Sequence, residues 1–157
     1  MIAAILLAEL KKKSLSLGAV ESFSGGAFSS LICSIPGASK VFKGSVVSYS
    51  PSIKVNVVGV NKETIDEEGV VSSSVAVEMA RKGRDLLKVD ICVSFTGDAG
   101  PTLEEGNDSL GRCFLGISTK EETISKEYHF KGSRNEIRNA AVDEMLLLIE
   151  EIINKKD

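Results

Sequence analysis

Residues 89–96, VDICVSFT, constrain the fold of this chain more than any other segment. The run is mostly apolar and barely alternates, which is typical of a strand buried on both faces in a sheet covered by helices. Helix and strand patterns alternate before it, and two strand patterns, at 112–119 and 123–130, follow it around a charged turn. This order predicts a three-layer α/β/α fold with a mixed, mostly parallel sheet.

Hydrophobic periodicity and capping residues predict the remaining elements. Strand patterns cover residues 19–21 and 45–50, and the second is alternating and β-branched. Helix patterns cover residues 2–13, 25–34, 51–58, 61–69, 72–87 and 134–154. No repeat and no Pro/Gly/Ser linker divides the chain, so residues 1–157 are predicted to form one domain.

Two of these helices have a predicted apolar face. The face of the helix at 72–87 consists of Val75, Met79 and Leu86. The stripe of the last helix consists of Ile137, Ala141, Met145, Leu148 and Ile152.

Composition limits the classes of function. The chain has 43% hydrophobic and 26% charged residues and a net charge of −3, and a protein that holds nucleic acid through bulk charge would usually be basic. Nucleic acid is therefore not an expected partner. The apolar N-terminus is interrupted by Glu9, is followed by lysines, and is too short to span a bilayer. We expect a cytoplasmic protein with no membrane partner.

The cysteines and the single histidine do not form a ligand set. Cys33, Cys92 and Cys113 are widely spaced among apolar neighbours, so we expect small buried hydrophobic residues and no metal site. His129 lies in a predicted strand, where we expect a structural or surface role.

The most unusual segment is ESFSGG, residues 21–26, which joins a strand to a helix. Ser22 and Ser24 supply hydroxyl groups, and Gly25 and Gly26 permit a tight turn. Backbone N–H groups at such a turn can hold a phosphate or a developing oxyanion. An ordinary Ser/Gly helix cap is the alternative.

A serine nucleophile needs a base to take its proton, and lysine is the alternative to histidine. Lys54 lies in the first turn of the helix that Ser50-Pro51 starts, and Tyr49 precedes that helix. A lysine base must be largely neutral, which desolvation or nearby positive charge favours. The alternative is a strand aromatic followed by a solvated lysine.

Two further segments can contact a ligand. Gly97, Ala99 and Gly100 lie in a loop after the buried strand, and the alternative there is a surface loop. Arg134 and Arg138 share a face of the last helix and suit a phosphate, unless that face is simply solvated.

Six segments, in order, resemble motifs of the CinA C-terminal domain family. VESFSGG resembles AESCTGG, GSVVSYSPSIK resembles G-x-V-x-Y-S-N-x-x-K, and TGDAGP resembles TGIAGP. PGAS, GVVS and the Phe130–Arg138 segment resemble the family's PGAS, hGAVS and F-x-G-D-R motifs. The resemblance extends from about residue 3 to residue 153.

The resemblance implies an α/β/α domain that hydrolyses the carboxamide of nicotinamide mononucleotide, a pyridine nucleotide, to the acid and ammonia. It implies Ser22 as nucleophile, Lys54 as base and Tyr49 as the assisting tyrosine. It implies no cofactor, and it implies a homodimer.

This chain departs from the family pattern at residues near the expected site. Phe23 replaces a cysteine, Ser24 a threonine, Pro51 an asparagine and Asp98 an apolar residue. Asp108 and Ser109 replace a lysine and a proline in the following loop. Added acid disfavours a phosphorylated substrate, so two alternatives stay open: a catalytically silent nucleotide-binding or interaction module, and an amidase for a different amide.

Overall fold

A five-stranded mixed sheet forms the centre of the computed structural model, which describes residues 2–102 and 110–155. The strands are β1 Leu17–Glu21, β2 Phe42–Val47, β3 Ile91–Gly97, β4 Arg112–Ser118 and β5 Thr123–His129, in the order β2-β1-β3-β4-β5. β1 pairs in parallel with both β2 and β3, whereas β4 runs antiparallel to β3 and β5. Four strands therefore share one direction, as the mixed, mostly parallel prediction requires.

Helices cover both faces of this sheet, which confirms the three-layer prediction. One face packs against α1 Ile2–Lys12, α2 Ala27–Cys33 and α6 Arg134–Asn154, and the other packs against α5 Ser73–Leu87. On the α5 side lie α3 Pro51–Ile53, the π-helical turn Lys54–Val58 and α4 Lys62–Glu68. A 3₁₀ turn, Ala38–Lys40, precedes β2.

Capping residues explain where the two longest helices begin. Ser133 accepts from the Glu136 N–H while the Glu136 carboxylate accepts from the Ser133 N–H, which is a complete capping box. The Ser72 hydroxyl accepts from the Val75 N–H and starts α5. Local sequence therefore fixes the starts of α5 and α6.

The central strand β3 is buried on both faces, as its apolar run predicts. Val93 and Phe95 belong to the larger core shared with α1, α2 and α6, while Cys92 belongs to the core under α5. The parallel pairing of β1 with β3 places the C-terminal ends of the two strands side by side at one end of the sheet.

The predicted strand at 45–50 is shifted in the structure, where β2 ends at Val47. The register of β2 against β1 changes between Leu17 and Gly18, and Ser48 leaves the ladder to bond the Glu21 carbonyl. Strand β1, the neighbour of β2, ends at Glu21, which pairs with Val47. The alternating sequence pattern continues to residue 50, so it predicted a strand end that is too late.

Two side-chain predictions are wrong. Leu86 is 46% exposed, and its place on the buried face of α5 is taken by Gly83, which lies against Val20 and Cys92. Cys33 is exposed near the end of α2, whereas Cys92 and Cys113 are fully buried. Helical periodicity alone does not determine which side chains are buried, because the twisted sheet decides which part of each helix it covers.

Within residues 2–102 and 110–155, no helix is long and apolar enough to cross a bilayer.

Candidate active site

Ser22 and Lys54 meet at the C-terminal edge of β1. The Lys54 Nζ atom lies 2.8 Å from Ser22 Oγ and 2.7 Å from the carbonyl oxygen of Ser48. The Lys54 side chain is fully buried, and Ser22 is only 6% exposed. Burial away from water favours the neutral form of an amine. The structure thus brings together the two residues that the motifs nominated, in a contact that permits proton transfer from the hydroxyl to the amine.

A π-helical turn directs Lys54 inward. Ser50 caps α3 through the Ile53 N–H, with Pro51 in the first turn, as the sequence predicts. The helix then widens, because the Lys54 carbonyl accepts from the N–H groups of Gly59 and Val60. Gly59, at φ 96°, ends the turn in the left-handed region. Such turns are frequent at functional sites, and no sequence pattern indicated this one.

Ser48 was missed by the sequence analysis, yet it holds the lysine in place. It is fully buried, and its carbonyl oxygen accepts from Lys54 Nζ. Its own N–H and hydroxyl both donate to the Glu21 carbonyl, at 2.7 and 3.2 Å. Ser48 therefore links Lys54 to the residue that precedes Ser22.

Part of the glycine-rich turn is hydrogen-bonded to a carboxylate of the same chain, that of Glu21. The Gly26 N–H donates to Glu21 Oε1, and the Gly25 N–H donates to the Ser22 carbonyl. Of the backbone N–H groups of Ser24, Gly25 and Gly26, only that of Ser24 has no partner among the described residues. The N–H of Phe23 likewise has no partner among the described residues, so the two N–H groups that follow Ser22 are the available donors.

Tyr49 and Arg134 lie at the rim of the site. The Arg134 guanidinium donates to the Tyr49 hydroxyl at 2.7 Å and also to the Gly100 carbonyl. Tyr49 is 59% exposed. Its hydroxyl is bonded to Arg134, and the Ser22–Lys54 contact is made without it. The guanidinium joins the loops after β2 and β3 to the start of α6.

Arg138 points to a different part of the site. Its guanidinium donates to the Ser24 carbonyl at 2.8 Å and to the Asn135 side chain at 3.1 Å. The two arginines therefore act on separate groups although they share a helix face. Arg138 holds the turn at residues 22–26 through the Ser24 carbonyl, whereas Arg134 lines the cavity.

A cavity of about 130 Å³ opens over Ser22. Its described lining includes Tyr49, Arg134 and residues 97–99. Close packing also explains the glycine at position 97, because a Cβ atom there would lie 2.2 Å from the Cβ atom of Cys113. Phe23 lines the cavity but is 5% exposed and belongs to the core. The departure from cysteine thus leaves Ser22 open to the cavity.

Asp98 is an acidic residue in the lining of this cavity. The residue is 6% exposed, and its backbone is held between the Arg112 carbonyl and the Gly111 N–H. Asp108 and Ser109, the other departures in this region, lie outside the described residues. The described lining therefore includes Ser22, one acidic residue and one basic residue.

His129 and Glu127 lie on β5, away from this site. His129 is exposed on β5 and contacts Glu127 at 2.7 Å. That contact and the one from Arg112 lower the pKa of Glu127. In the part of the chain that the structure describes, no cluster of His, Cys, Asp and Glu could hold a metal ion.

Relatives of this chain carry consistent names. A family model described as the CinA C-terminal domain matches residues 1–153. A Bacillus subtilis (strain 168) protein named as competence-damage inducible is 42% identical over 146 residues, or 93% of this chain and 35% of that protein. A CinA-like protein from Petrotoga mobilis is 40% identical over 94% of this chain and 36% of its own length. The chain thus spans about a third of the length of these curated relatives.

Solved structures agree in fold. A CinA superfamily protein from Escherichia coli has a TM-score of 0.93 at 23% identity, covering 96% of this chain and 88% of that one. Another, from Enterobacter cloacae, has a TM-score of 0.91 at 26% identity, with 96% and 92% coverage. Together with the motifs and the matching family model, these similarities establish that the chain belongs to the CinA C-terminal domain family.

Proposed function

We propose that this domain is a serine-type amidase that converts nicotinamide mononucleotide into nicotinic acid mononucleotide and ammonia. The observation that carries the proposal is the 2.8 Å contact between the Lys54 amine and the Ser22 hydroxyl, made with the lysine fully buried. A Ser-Lys hydrolase needs a lysine that is basic and already in contact with its serine. The family motifs around both residues support the same reaction and substrate.

The first half of the reaction acylates the serine. Lys54 accepts the hydroxyl proton while Ser22 Oγ bonds to the carboxamide carbon, and the carbonyl electron pair moves to oxygen. The N–H groups of Phe23 and Ser24 are the candidates to stabilise that oxyanion. Lys54 then returns its proton to the amide nitrogen, the C–N bond breaks, and ammonia leaves.

The second half releases the acid. Lys54 accepts a proton from water, whose oxygen bonds to the ester carbon. The bond from that carbon to Ser22 Oγ then breaks, and Lys54 returns the proton to the serine. One amide and one water give one acid and one ammonia, and no cofactor takes part.

Substrate contacts are assigned from the cavity. Arg134 is the candidate for the phosphate because its guanidinium lies at the rim. Tyr49 and the loop residues 97–100 would contact the nucleotide at the same rim. Arg138 and the glycines Gly25 and Gly26 would act on the shape of the turn, because their polar groups are engaged within it.

Ammonia release from nicotinamide mononucleotide tests the proposal. Ser22→Ala and Lys54→Met should each lower kcat on the order of 10³-fold or more, because each removes a group that forms or enables the covalent bond. Lys126→Met, which alters an exposed lysine paired with Glu151, is the matched control and should keep wild-type kcat. Activity that survives in Ser22→Ala would exclude the covalent mechanism.

Asp98 favours a second candidate, an amidase for an amide without phosphate. An acidic residue in the cavity lining disfavours a phosphorylated ligand. Under this alternative, wild type prefers nicotinamide riboside to the mononucleotide, and Asp98→Asn lowers KM for the mononucleotide alone. If wild type hydrolyses neither amide, a silent nucleotide-binding module remains.

A further inference from the structure

We propose that Glu21 is a positioning residue for the nucleophile, a role that rests on the proposed Ser22 chemistry. Glu21 is the last residue of β1 and directly precedes Ser22 in the chain. Its side chain is fully buried. A buried carboxylate needs compensating hydrogen bonds, and the way Glu21 obtains them fixes the shape of the nucleophile turn.

Four donors converge on the Glu21 carboxylate. Oε1 accepts from the N–H groups of Gly26 and Phe28, at 3.1 and 3.2 Å. Oε2 accepts from the Ser29 N–H at 2.9 Å and from the Ser29 hydroxyl at 2.5 Å. The carboxylate thus satisfies N–H groups at the start of α2 that otherwise lack an intrahelical partner.

The turn between these anchors carries the nucleophile. Ser22 lies between Glu21 and the amides that Glu21 binds, so the side chain closes a ring of backbone around it. Arg138 holds the Ser24 carbonyl of the same turn from outside. The Glu21 carbonyl also anchors Ser48, which holds the lysine. One residue therefore fixes both members of the Ser22–Lys54 pair.

This arrangement also separates two groups of donors. The N–H groups of Gly26, Phe28 and Ser29 are committed to Glu21, whereas those of Phe23 and Ser24 are left for the oxyanion. A carboxylate is needed because both of its oxygens accept. In Glu21→Gln, one amide NH₂ group would face the Ser29 N–H, a donor against a donor.

The first test is a kcat and KM comparison of Glu21→Gln with wild type. The expected result is a 10- to 100-fold fall in kcat, roughly the cost of a misplacement near 1 Å, with KM within about twofold. Asp90→Asn is the matched control: Asp90 also accepts from a backbone N–H and a serine hydroxyl, both of Ser16, at the other end of β1. It should keep wild-type kcat. Wild-type kcat in a folded Glu21→Gln would overturn the proposal.

Ser29→Ala covers the case in which Glu21→Gln fails to fold. It removes the hydroxyl donor to Glu21, together with the 2.8 Å contact between the hydroxyls of Ser29 and Ser45, and leaves the three backbone bonds to the carboxylate. The kcat should therefore fall by about two- to fivefold with the melting temperature close to that of wild type. An unchanged kcat in Ser29→Ala, with Glu21→Gln unfolded, would reduce Glu21 to a structural role and refute the proposal.

A substrate-independent probe separates this proposal from the proposed function. A fluorophosphonate should label wild type at Ser22, label Glu21→Gln at least about tenfold more slowly, and leave Ser22→Ala unlabelled, as intact mass would show. Labelling without hydrolysis of the mononucleotide would refute only the substrate. Equal labelling rates for wild type and Glu21→Gln would refute the positioning role, and an unlabelled wild type would refute both.

Discussion

Ser24, two residues after Ser22, carries a buried polar group that ordinary packing would satisfy. Its Oγ atom is buried and has no hydrogen-bond partner, alone in this respect among the side chains of residues 2–102 and 110–155. A buried hydroxyl without a partner costs stability, on the order of 1–3 kcal/mol. Unsatisfied groups of this kind are concentrated at functional sites in natural proteins.

Ser24→Ala should therefore not destabilise the fold. We expect its free energy of unfolding to equal or exceed that of wild type by about 1 kcal/mol, because the variant removes an unpaired polar group. Ser94→Ala is the matched control, since Ser94 is equally buried but donates to the Ala76 carbonyl at 2.7 Å. It should lose about 1 kcal/mol. Urea unfolding measures both, and equal losses would contradict the prediction.

At the residue scale, the sequence nominated Ser22 and Lys54 but not the residues that hold them. The motif around Ser22 and the Ser-Pro cap before Lys54 are local signals. Ser48 holds Lys54 through its own backbone carbonyl, which accepts from the Lys54 amine. Arg138 holds the turn by donating to the backbone carbonyl of Ser24. Such contacts depend on which segments meet, and composition does not reveal them.

Among the elements, α5 shows that close packing can override helix propensity. Gly83 lies in its interior, where alanine would ordinarily be favoured by about 1 kcal/mol. A Cβ at this position would lie 2.3 Å from Val20 Cγ2 and 2.8 Å from Cys92 Sγ. The glycine therefore lets the helix approach the sheet, and both β1 and β3 contribute to the contact.

Gly83→Ala should destabilise the domain by about 1–3 kcal/mol, because overpacking outweighs the gain in helix propensity. Val20→Ala removes the nearer of the two clashing groups, so the double variant should lose less than the sum of the single losses. Thermal unfolding of the three variants measures the coupling. Additive losses would show that the contact with Val20 is not the cause.

Element boundaries followed the local signals closely, and the exceptions have tertiary causes. α5 and α6 begin where Ser72 and Ser133 cap them. β2 ends earlier than its alternating pattern because its neighbour β1 ends there. The π-helical turn at Lys54–Val58 was expected as ordinary helix, since nothing in its side chains specifies the wider hydrogen-bond pattern.

For the whole molecule, the two buried thiols make the free energy of unfolding vary with pH in the alkaline range. Burial raises the pKa of both Cys92 and Cys113 from 9.0 to about 12. At Cys92 the positive charge of Arg84 acts in the opposite direction, but burial is the larger effect. Between those values the folded chain keeps protons that the unfolded chain has lost. The stability due to the neutral thiols is therefore complete below pH 9 and is lost as the pH rises towards 12.

Each thiol should contribute a fall of about 1.4 kcal/mol per pH unit within that window. Cys113→Ala should make the measured slope of unfolding free energy against pH shallower by about that amount. Cys33→Ala, at an exposed position, is the control and should leave the slope unchanged. Urea unfolding at several pH values from 9 to 11 measures the slopes, and identical slopes in the two variants would contradict the assignment.

Assembly and location remain predictions at this scale. The family resemblance implies a homodimer, and sedimentation of the purified chain would measure its state.

The sequence by itself determined the order of helices and strands, the double burial of β3 and the identity of the candidate nucleophile and base. It could do so because periodicity, capping and turn chemistry act over a few neighbouring residues. Only the tertiary structure decided that Lys54 reaches Ser22 across 32 positions of chain. It also decided that the Glu21 carboxylate accepts hydrogen bonds from the N–H groups at the start of α2. These contacts depend on strand order, on β2 register and on a π-helical turn, which are set by packing across the whole domain.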